Sequence, residues 1–410
     1  MKLIAAILLL AATLSTNVQK TVRQLDAKGG LLEQSVWGIL AVNFQGDTLA
    51  QLNKGKRLTP ASNMKLITTA AAYLKLGRNY TFKTQLATDG EIRDTTLFGN
   101  LYIIGSGDPL IGNLFTYLPK EDVPFGKWRK ILEDKGIRRI EGDIVGDGSY
   151  FSGERRHTDW STEDEISKDG VVPAGLTWRG EMGDSIPDGP LAAATHFRRW
   201  LIENGVPVTG DAAEKAADSL TVLGIANSAT LNHIISITNH QSDNFCAETL
   251  IKAIGKANNG SDDYDTATEA LHRALAPIGL AGPSAQMRFA DGSGLSRKNF
   301  VSPEFLVSVM RGMARTSSYN DYLNSLPRPG RKDGTLVARL PKAPVTVKNR
   351  IYMKSGSLGG VRCFSGYILP SDGDTRKTIV FSIMVNNFVG RQADLLPALD
   401  NLILELANEN

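Results

Sequence analysis

Two cysteines, Cys246 and Cys363, and five histidines in 410 residues are too few for several kinds of chemistry. A disulfide-dense scaffold is excluded. The pair itself leaves two readings open: one bridge in an oxidising compartment, or two free thiols buried as small apolar side chains. The histidines show no H-E-x-x-H and have no C-x-x-C partner, so no metal site is expected and no cofactor is called for. No apolar run reaches the roughly twenty residues that span a bilayer. Nor is there a dense Lys/Arg run, and 46 basic against 43 acidic residues give a net charge of only +3, which argues against a nucleic-acid partner. A G-x-S-x-G elbow is missing, and Leu110 stands where Gly105-Ser-Gly-Asp would need its third glycine. A triad hydrolase and a dinucleotide site are therefore not expected.

What is present is an ordinary globular composition, 42% hydrophobic and 22% charged, long enough for two or three domains or one domain with a large insert. Lys2 precedes an apolar stretch, Leu3 to Ala12, followed by Thr13, Ser15, Thr16 and Asn17. This has the layout of a secretory signal, so residues 1–15 are expected to direct export, and a periplasmic location follows. No cysteine follows the run, so no stable membrane anchor is expected.

Alternation from Trp37 to Asn43, a turn at Gly46 and Asp47, and a second run from Thr48 to Leu52 predict a hairpin. Thr59-Pro60 reads as N-cap and first residue of a helix reaching Leu76 and stopping at Gly77. From about Tyr80 to Thr221 short strand-like runs and Gly-Asp turns predict a mostly β insert, with helical spacing at Leu191 to Ile202 and again from Asn244 to Ile254. Val345 to Met353, Val361 to Leu369 and Thr378 to Asn387 read as an antiparallel meander packed by a terminal helix.

Three short elements carry chemistry. Ser62 and Lys65 are three apart on one helix face, where an uncharged amine can take the hydroxyl proton during attack on a carbonyl. At the helix start the Ser62 N–H lacks an intrahelical acceptor and is free for an oxyanion. Ser242-Asp243-Asn244 precedes a helix and reads alone as a cap cluster. Lys354-Ser355-Gly356 ends a strand, offering a cation and a hydroxyl to a carboxylate and a glycine beside which a substrate backbone can lie. Each has a bland reading by itself; in this order they match the S-x-x-K, S-D-N, K-[S/T]-G set of penicillin-reactive serine enzymes.

With Thr59-Pro-Ala-Ser-Asn-Met-Lys65, Gly105-Ser-Gly-Asp-Pro109, Ser242-Asp-Asn-Phe-Cys-Ala-Glu248, Asp291-Gly-Ser-Gly-Leu-Ser-Arg297, Gly334-Thr-Leu336 and Lys354-Ser-Gly-Ser-Leu358, the chain resembles the class C low-molecular-mass penicillin-binding proteins, the D-alanyl-D-alanine carboxypeptidase/endopeptidase family. The likeness runs from about Trp37 to Asn387. Lys65 and Ser242 stand 177 residues apart, room for the domains this family inserts there. Two departures are Ser355, where the family usually has threonine, and the stretch from Trp160 to Glu181, which does not follow the family pattern.

The resemblance implies an α+β fold, the penicillin-binding/β-lactamase-like serine transpeptidase fold, with an antiparallel sheet flanked by helices, a helical subdomain and the insert. The catalytic domain would be discontinuous, 16–84 and 225–410, around an accessory insert, 85–224. It further implies peptidoglycan stem peptides as substrates and β-lactams as covalent inhibitors. Ser62 would be the nucleophile and Lys65 its base; Ser242, beside Lys354, would relay the proton. Asn244 would position Lys65, Ser355 with Lys354 would hold the carboxylate, and the amides of Ser62 and Ser357 would form the oxyanion hole, with Gly356 between them in the substrate-binding strand. A serine β-lactamase and a catalytically inactive peptidoglycan-binding module are the alternatives.

Overall fold

The computed structural model describes residues 16–112, 124–160, 173–179, 189–280 and 287–409. The expected signal, 1–15, lies outside them, as does most of the stretch from 160 to 181. The chain forms two compact units: Met1–Leu74, Ile235–Ala247 and Thr268–Asn410 make one, and Lys75–Ile234 with Glu248–Ala267 make the other. The expected cuts at 84 and 225 fall at the strands Lys83–Thr88 and Thr221–Asn227, which pair with each other inside the second unit.

The first unit is built on one antiparallel sheet, β1 (Val36–Asn43), β2 (Thr48–Leu52), β3 (Ile351–Leu358), β4 (Val361–Ile368) and β5 (Ile379–Asn386), in the order β3-β4-β5-β1-β2. The predicted hairpin forms as β1–β2, its turn fixed by the Asn43 carboxamide oxygen, which accepts the amides of Gly46 and Asp47 at 2.9 Å each. The meander also forms, with one correction. The run from Val345 opens as a helical turn, Val345–Lys348, whose amides at Val347 and Lys348 donate to the Pro344 carbonyl, and the strand begins only at Ile351. Exposed Val345 has no sheet to face there.

Because strand side chains alternate, each strand divides its residues between two faces. Trp37, Ile39 and Ala41 of β1 and Phe381, Ile383 and Val385 of β5 join one core with Leu395, Leu399, Leu402 and Leu406 of the terminal helix, α2 (Gln392–Asn408), and with Val18 and Val22 of the first, α1 (Asn17–Asp26). Each such buried aliphatic side chain contributes about 1.5 to 3 kcal/mol. The opposite face of β5 carries Ser382 and Asn386, and that face meets the chemistry.

The second unit has a five-stranded mixed sheet, in the order Thr221–Asn227, Lys83–Thr88, Leu101–Gly105, Ile144–Asp147, Ala212–Glu214, and a three-stranded one. Helices Phe125–Asp134 and Pro190–Glu203 bury Trp128, Leu132, Phe197 and Leu201 against Leu86, Ile103 and Ile144. The first of these helices was not anticipated, although Phe125, Trp128 and Leu132 have helical spacing.

A buried ionic knot ties this unit. Asp262 accepts the amides of Ser152 (3.1 Å) and Gly153 (3.0 Å) and faces Lys256 at 3.2 Å and the fully buried Lys252 at 3.4 Å. Lys252 also donates to the Glu154 carbonyl at 2.6 Å and stands 4.7 Å from the Tyr264 ring centre. Burial alone would raise the Asp262 pKa; the Lys252 charge, the Gly153 amide and Lys256 outweigh it and hold the carboxyl below its ordinary range. Asp262→Ala leaves a buried ammonium without its counter-ion and is expected to destabilise the unit by about 3 kcal/mol in chemical denaturation near neutral pH. In the wild type this contribution is complete above the ordinary carboxylate range, about 4, and is lost as pH falls through the lowered folded-state pKa. An unchanged denaturation midpoint for the variant would contradict the assignment.

Candidate active site

Ser62 sits in a 3-10 turn, Ala61–Asn63, that leads into the helix Met64–Leu76. Thr59 is not the helix cap. Its amide and carbonyl are instead taken by one side chain: Asn386 Oδ1 accepts the Thr59 N–H at 2.7 Å and Asn386 Nδ2 donates to the Thr59 C=O at 3.1 Å. The first turn bond runs from the Asn63 N–H to the Pro60 C=O, so the Ser62 amide still precedes the hydrogen-bonded helix. Ala61 takes a left-handed backbone, φ +47°, rare for a residue with a Cβ.

The Lys65 ammonium, fully buried, donates to Ser62 Oγ at 3.1 Å, to Asn244 Oδ1 at 2.6 Å and to the Ser293 carbonyl at 2.8 Å. Asn244 opens the helix Asn244–Asn259, and the cap reading of Ser242-Asp243-Asn244 is met by its middle residue. Asp243 is the cap, its Oδ1 accepting the Cys246 N–H at 2.8 Å, and this leaves its two neighbours for the site. Ser242 has φ +57°, which turns its hydroxyl to Lys354 Nζ, 2.8 Å away. Lys354 is likewise fully buried and also donates to the Ser355 carbonyl at 2.9 Å. Burial first, and then the positive charge of Lys65, holds the Lys354 pKa well below the ordinary lysine value.

Strand β3 is the sheet edge. The Met353 N–H donates off the sheet to the Pro327 carbonyl at 3.1 Å, and since amide direction alternates along a strand, the amides of Ser355 and Ser357 point the same way. Gly356 also has a demand on it from within the protein. A Cβ there would lie 2.6 Å from the Pro60 carbonyl and 3.2 Å from the Asn63 nitrogen, so the bare backbone is needed by the turn that carries Ser62. Ser355 Oγ lies 3.4 Å from Thr335 Oγ1.

Several contributors went unassigned in the sequence. Asp291 accepts the amides of Gly294 (2.8 Å) and Ser296 (2.6 Å), shaping the loop that presents the Ser293 carbonyl to Lys65. Lys354, Ser365 and Ser382 are register partners across β3, β4 and β5, and Asn63 Nδ2 donates to Ser365 Oγ at 2.7 Å, which donates to Ser382 Oγ at 2.9 Å. The Asp291-Gly-Ser-Gly motif was visible; the serines and Asn386 gave no local signal. Cys246 and Cys363 are both buried and not bridged to each other, and burial pushes the Cys363 thiol up to about 12, which suits the reading as apolar side chains. Among the described residues, no three His, Cys, Asp or Glu side chains gather as a metal would require, and no helix is long and apolar enough to cross a membrane.

Comparison with known proteins gives a consistent result. The model of the D-Ala-D-Ala carboxypeptidase 3 (S13) family matches residues 18–183 and 169–401. A D-alanyl-D-alanine carboxypeptidase of Actinomadura sp. (strain R39) is 27% identical, over 88% of this chain and 79% of its own. The crystal structure of penicillin-binding protein 4 from Haemophilus influenzae superposes with a TM-score of 0.78 at 23% identity, covering 95% of this chain and 99% of that one. A penicillin G-acylated predatory endopeptidase from Bdellovibrio bacteriovorus, in complex with an immunity protein, superposes with a TM-score of 0.55 at 18% identity, covering 91% and 92%.

The pair of hydrogen bonds between Asn386 and Thr59 fixes where Ser62 points. Asn386→Ala is expected to slow acylation by a fluorescent penicillin roughly 10- to 100-fold while the circular dichroism spectrum stays native, since small misplacements of a nucleophile are costly. Stopped-flow acylation at the wild-type rate would show that the turn is held by other means.

Proposed function

The chain belongs to the D-Ala-D-Ala carboxypeptidase 3 (S13) family of serine enzymes, and we propose that Ser62 is its nucleophile, acting on the D-Ala-D-Ala end of peptidoglycan stem peptides and on D-amino cross-links. The observation that carries this reading is the Lys65 Nζ to Ser62 Oγ distance of 3.1 Å, with Asn244 and the Ser293 carbonyl fixing the amine from its other sides.

In its neutral form Lys65 takes the Ser62 proton as Oγ bonds to the scissile carbonyl carbon. The amides of Ser62 and Ser357 stabilise the resulting oxyanion. As the C–N bond breaks, Ser242 passes its proton to the departing amine and regains, by way of Lys354 at 2.8 Å, the proton that Lys65 took from Ser62, so that both lysines end as they began. Lys354 and Ser355 hold the terminal carboxylate, and water then cleaves the acyl-enzyme. The amine leaving group is D-alanine in the carboxypeptidase reaction and the second peptide in the endopeptidase reaction. Export to the periplasm, covalent inhibition by β-lactams, and an insert that shapes access of cross-linked polymer complete the reading; the penicillin G-acylated relative supports the inhibitor class.

Ser62→Ala removes one oxygen, so penicillin labelling should vanish with the fold intact. Labelling mapped by mass spectrometry to another residue would overturn the assignment, and a slowly hydrolysed adduct on the wild type separates a peptidase from a β-lactamase. Ser355→Thr should keep turnover within about tenfold, since either hydroxyl bonds a carboxylate and one such contact is worth about 1 to 2 kcal/mol. Ser355→Ala should weaken free-acid peptides more than their amides; equal loss for both would contradict the role.

A further inference from the structure

The whole chain carries +3, yet between Ser325 and Gly359 stand eight basic residues and one acidic residue, Asp333. Three of the eight are engaged away from the loop. Lys354 lies in the site, Arg339 faces the buried Asp400 at 3.5 Å, and Arg350 donates to the carbonyls of Leu369 and Ala407. The others include Arg328, Arg331, Lys332 and Lys348, in and around one loop.

That loop is fastened to the active-site edge of the sheet at both ends. It leaves from the Pro327 carbonyl, which accepts the β3 amide of Met353, and Arg328 covers the Tyr352 ring at 5.0 Å. It closes on itself through the Gly330 N–H to the Leu336 carbonyl, 3.1 Å. It returns at Thr335, whose amide donates to the His240 carbonyl at 3.0 Å and whose hydroxyl lies 3.4 Å from Ser355 Oγ. Lys348 lies against Gly330, where a Cβ would stand 3.7 Å from its Nζ. Exposed Arg331 and Lys332 therefore stand on the loop that Thr335 brings to the hydroxyl assigned to the carboxylate of the leaving group. Arg331 is only loosely matched, 3.7 Å from Asp333.

We propose that residues 328–335 with Lys348 form a leaving-side subsite for the carboxylates of a cross-linked acidic peptide, a reading that rests on Ser62 as nucleophile and Ser355 as carboxylate holder. A lone departing D-alanine has its one carboxylate at Ser355 and reaches no further, whereas the second strand of a cross-link continues past Thr335 and brings its remaining carboxylates to the loop. The subsite thus favours the endopeptidase reaction through binding, by charge complementarity next to the scissile bond.

The test uses the full chain and two peptide dimers that differ only in whether the leaving strand's carboxylates are free or amidated. The wild type should cleave the free-acid dimer with a kcat/KM about tenfold higher, carried by KM and shrinking as salt is added. The variant Arg331→Gln/Lys332→Gln/Lys348→Gln should lose this preference while its penicillin acylation rate is unchanged, and Lys332→Glu alone should lose part of it. Equal cleavage of both dimers by the wild type, or a preference that survives in the triple variant, would overturn the subsite. So would a triple variant that no longer sediments with phosphatidylglycerol vesicles yet keeps the peptide preference, which would assign the patch to an anionic lipid surface. Failure of penicillin to label Ser62 would remove the underlying reading and the subsite with it, whereas labelling without any dimer preference removes the subsite alone.

Discussion

The burial of one ammonium group, Lys65, organises the catalytic unit. A charge taken out of water costs several kcal/mol unless it finds compensating oxygens. Lys65 finds three, and they come from segments far apart in the chain: Ser62 on its own turn, Asn244 at the start of a helix, and the Ser293 carbonyl in a loop wired by Asp291. Holding those donors and acceptors at 2.6 to 3.1 Å requires the helices and the loop to be in place before any substrate arrives. The charge on Lys65 in turn raises the cost of charging Lys354, buried in the same site. Its pKa is depressed for that reason after burial itself, and a neutral amine next to a serine hydroxyl is what acyl transfer without histidine needs.

The turn that carries Ser62 is held under strain by side chains that stand in for backbone. Ala61 adopts a left-handed φ, a conformation that costs on the order of 1 kcal/mol outside glycine. Asn386 answers with a double hydrogen bond to Thr59, and the Ser365–Ser382 pair with Asn63 ties the other side of the turn to the sheet. Close approach does the rest. Gly294, at φ +89°, leaves no room for a Cβ beside the Ala61 carbonyl, and Gly356 leaves none beside Pro60. A turn pinned in this way presents a serine and a free amide in one fixed direction, which a freely fraying helix start would not.

Much of this was legible along the chain. Period-two alternation located β1 and β2, the meander at the C-terminal end was visible as three strand-like runs, and the Ser62, Ser242 and Lys354 elements stood out because their residue types and order fit one chemistry. The discontinuity of the first unit follows physically from β1 pairing with β5, since a strand near one end of the chain bound to a strand near the other makes one sheet out of segments remote in sequence, and the second unit is drawn from the stretch between them.

Local pattern failed where a long-range contact overruled a local preference. Thr59-Pro60 has the composition of a helix start, but the carboxamide of Asn386, 327 residues away, claims both its backbone groups and the helix begins later. Val345 has strand propensity, yet with no neighbour to pair it takes a helical turn after Pro344. What the sequence determined by itself was the set of reactive groups and the periodicity of the elements that carry them, because both depend on residue type and near-neighbour spacing. Tertiary structure alone decided which oxygens surround Lys65, why glycine is required at 294 and 356, and that serines in two adjacent strands brace the nucleophile. Those facts depend on distances between residues remote in the chain, and only the folding of the first unit's separate segments onto one sheet sets them.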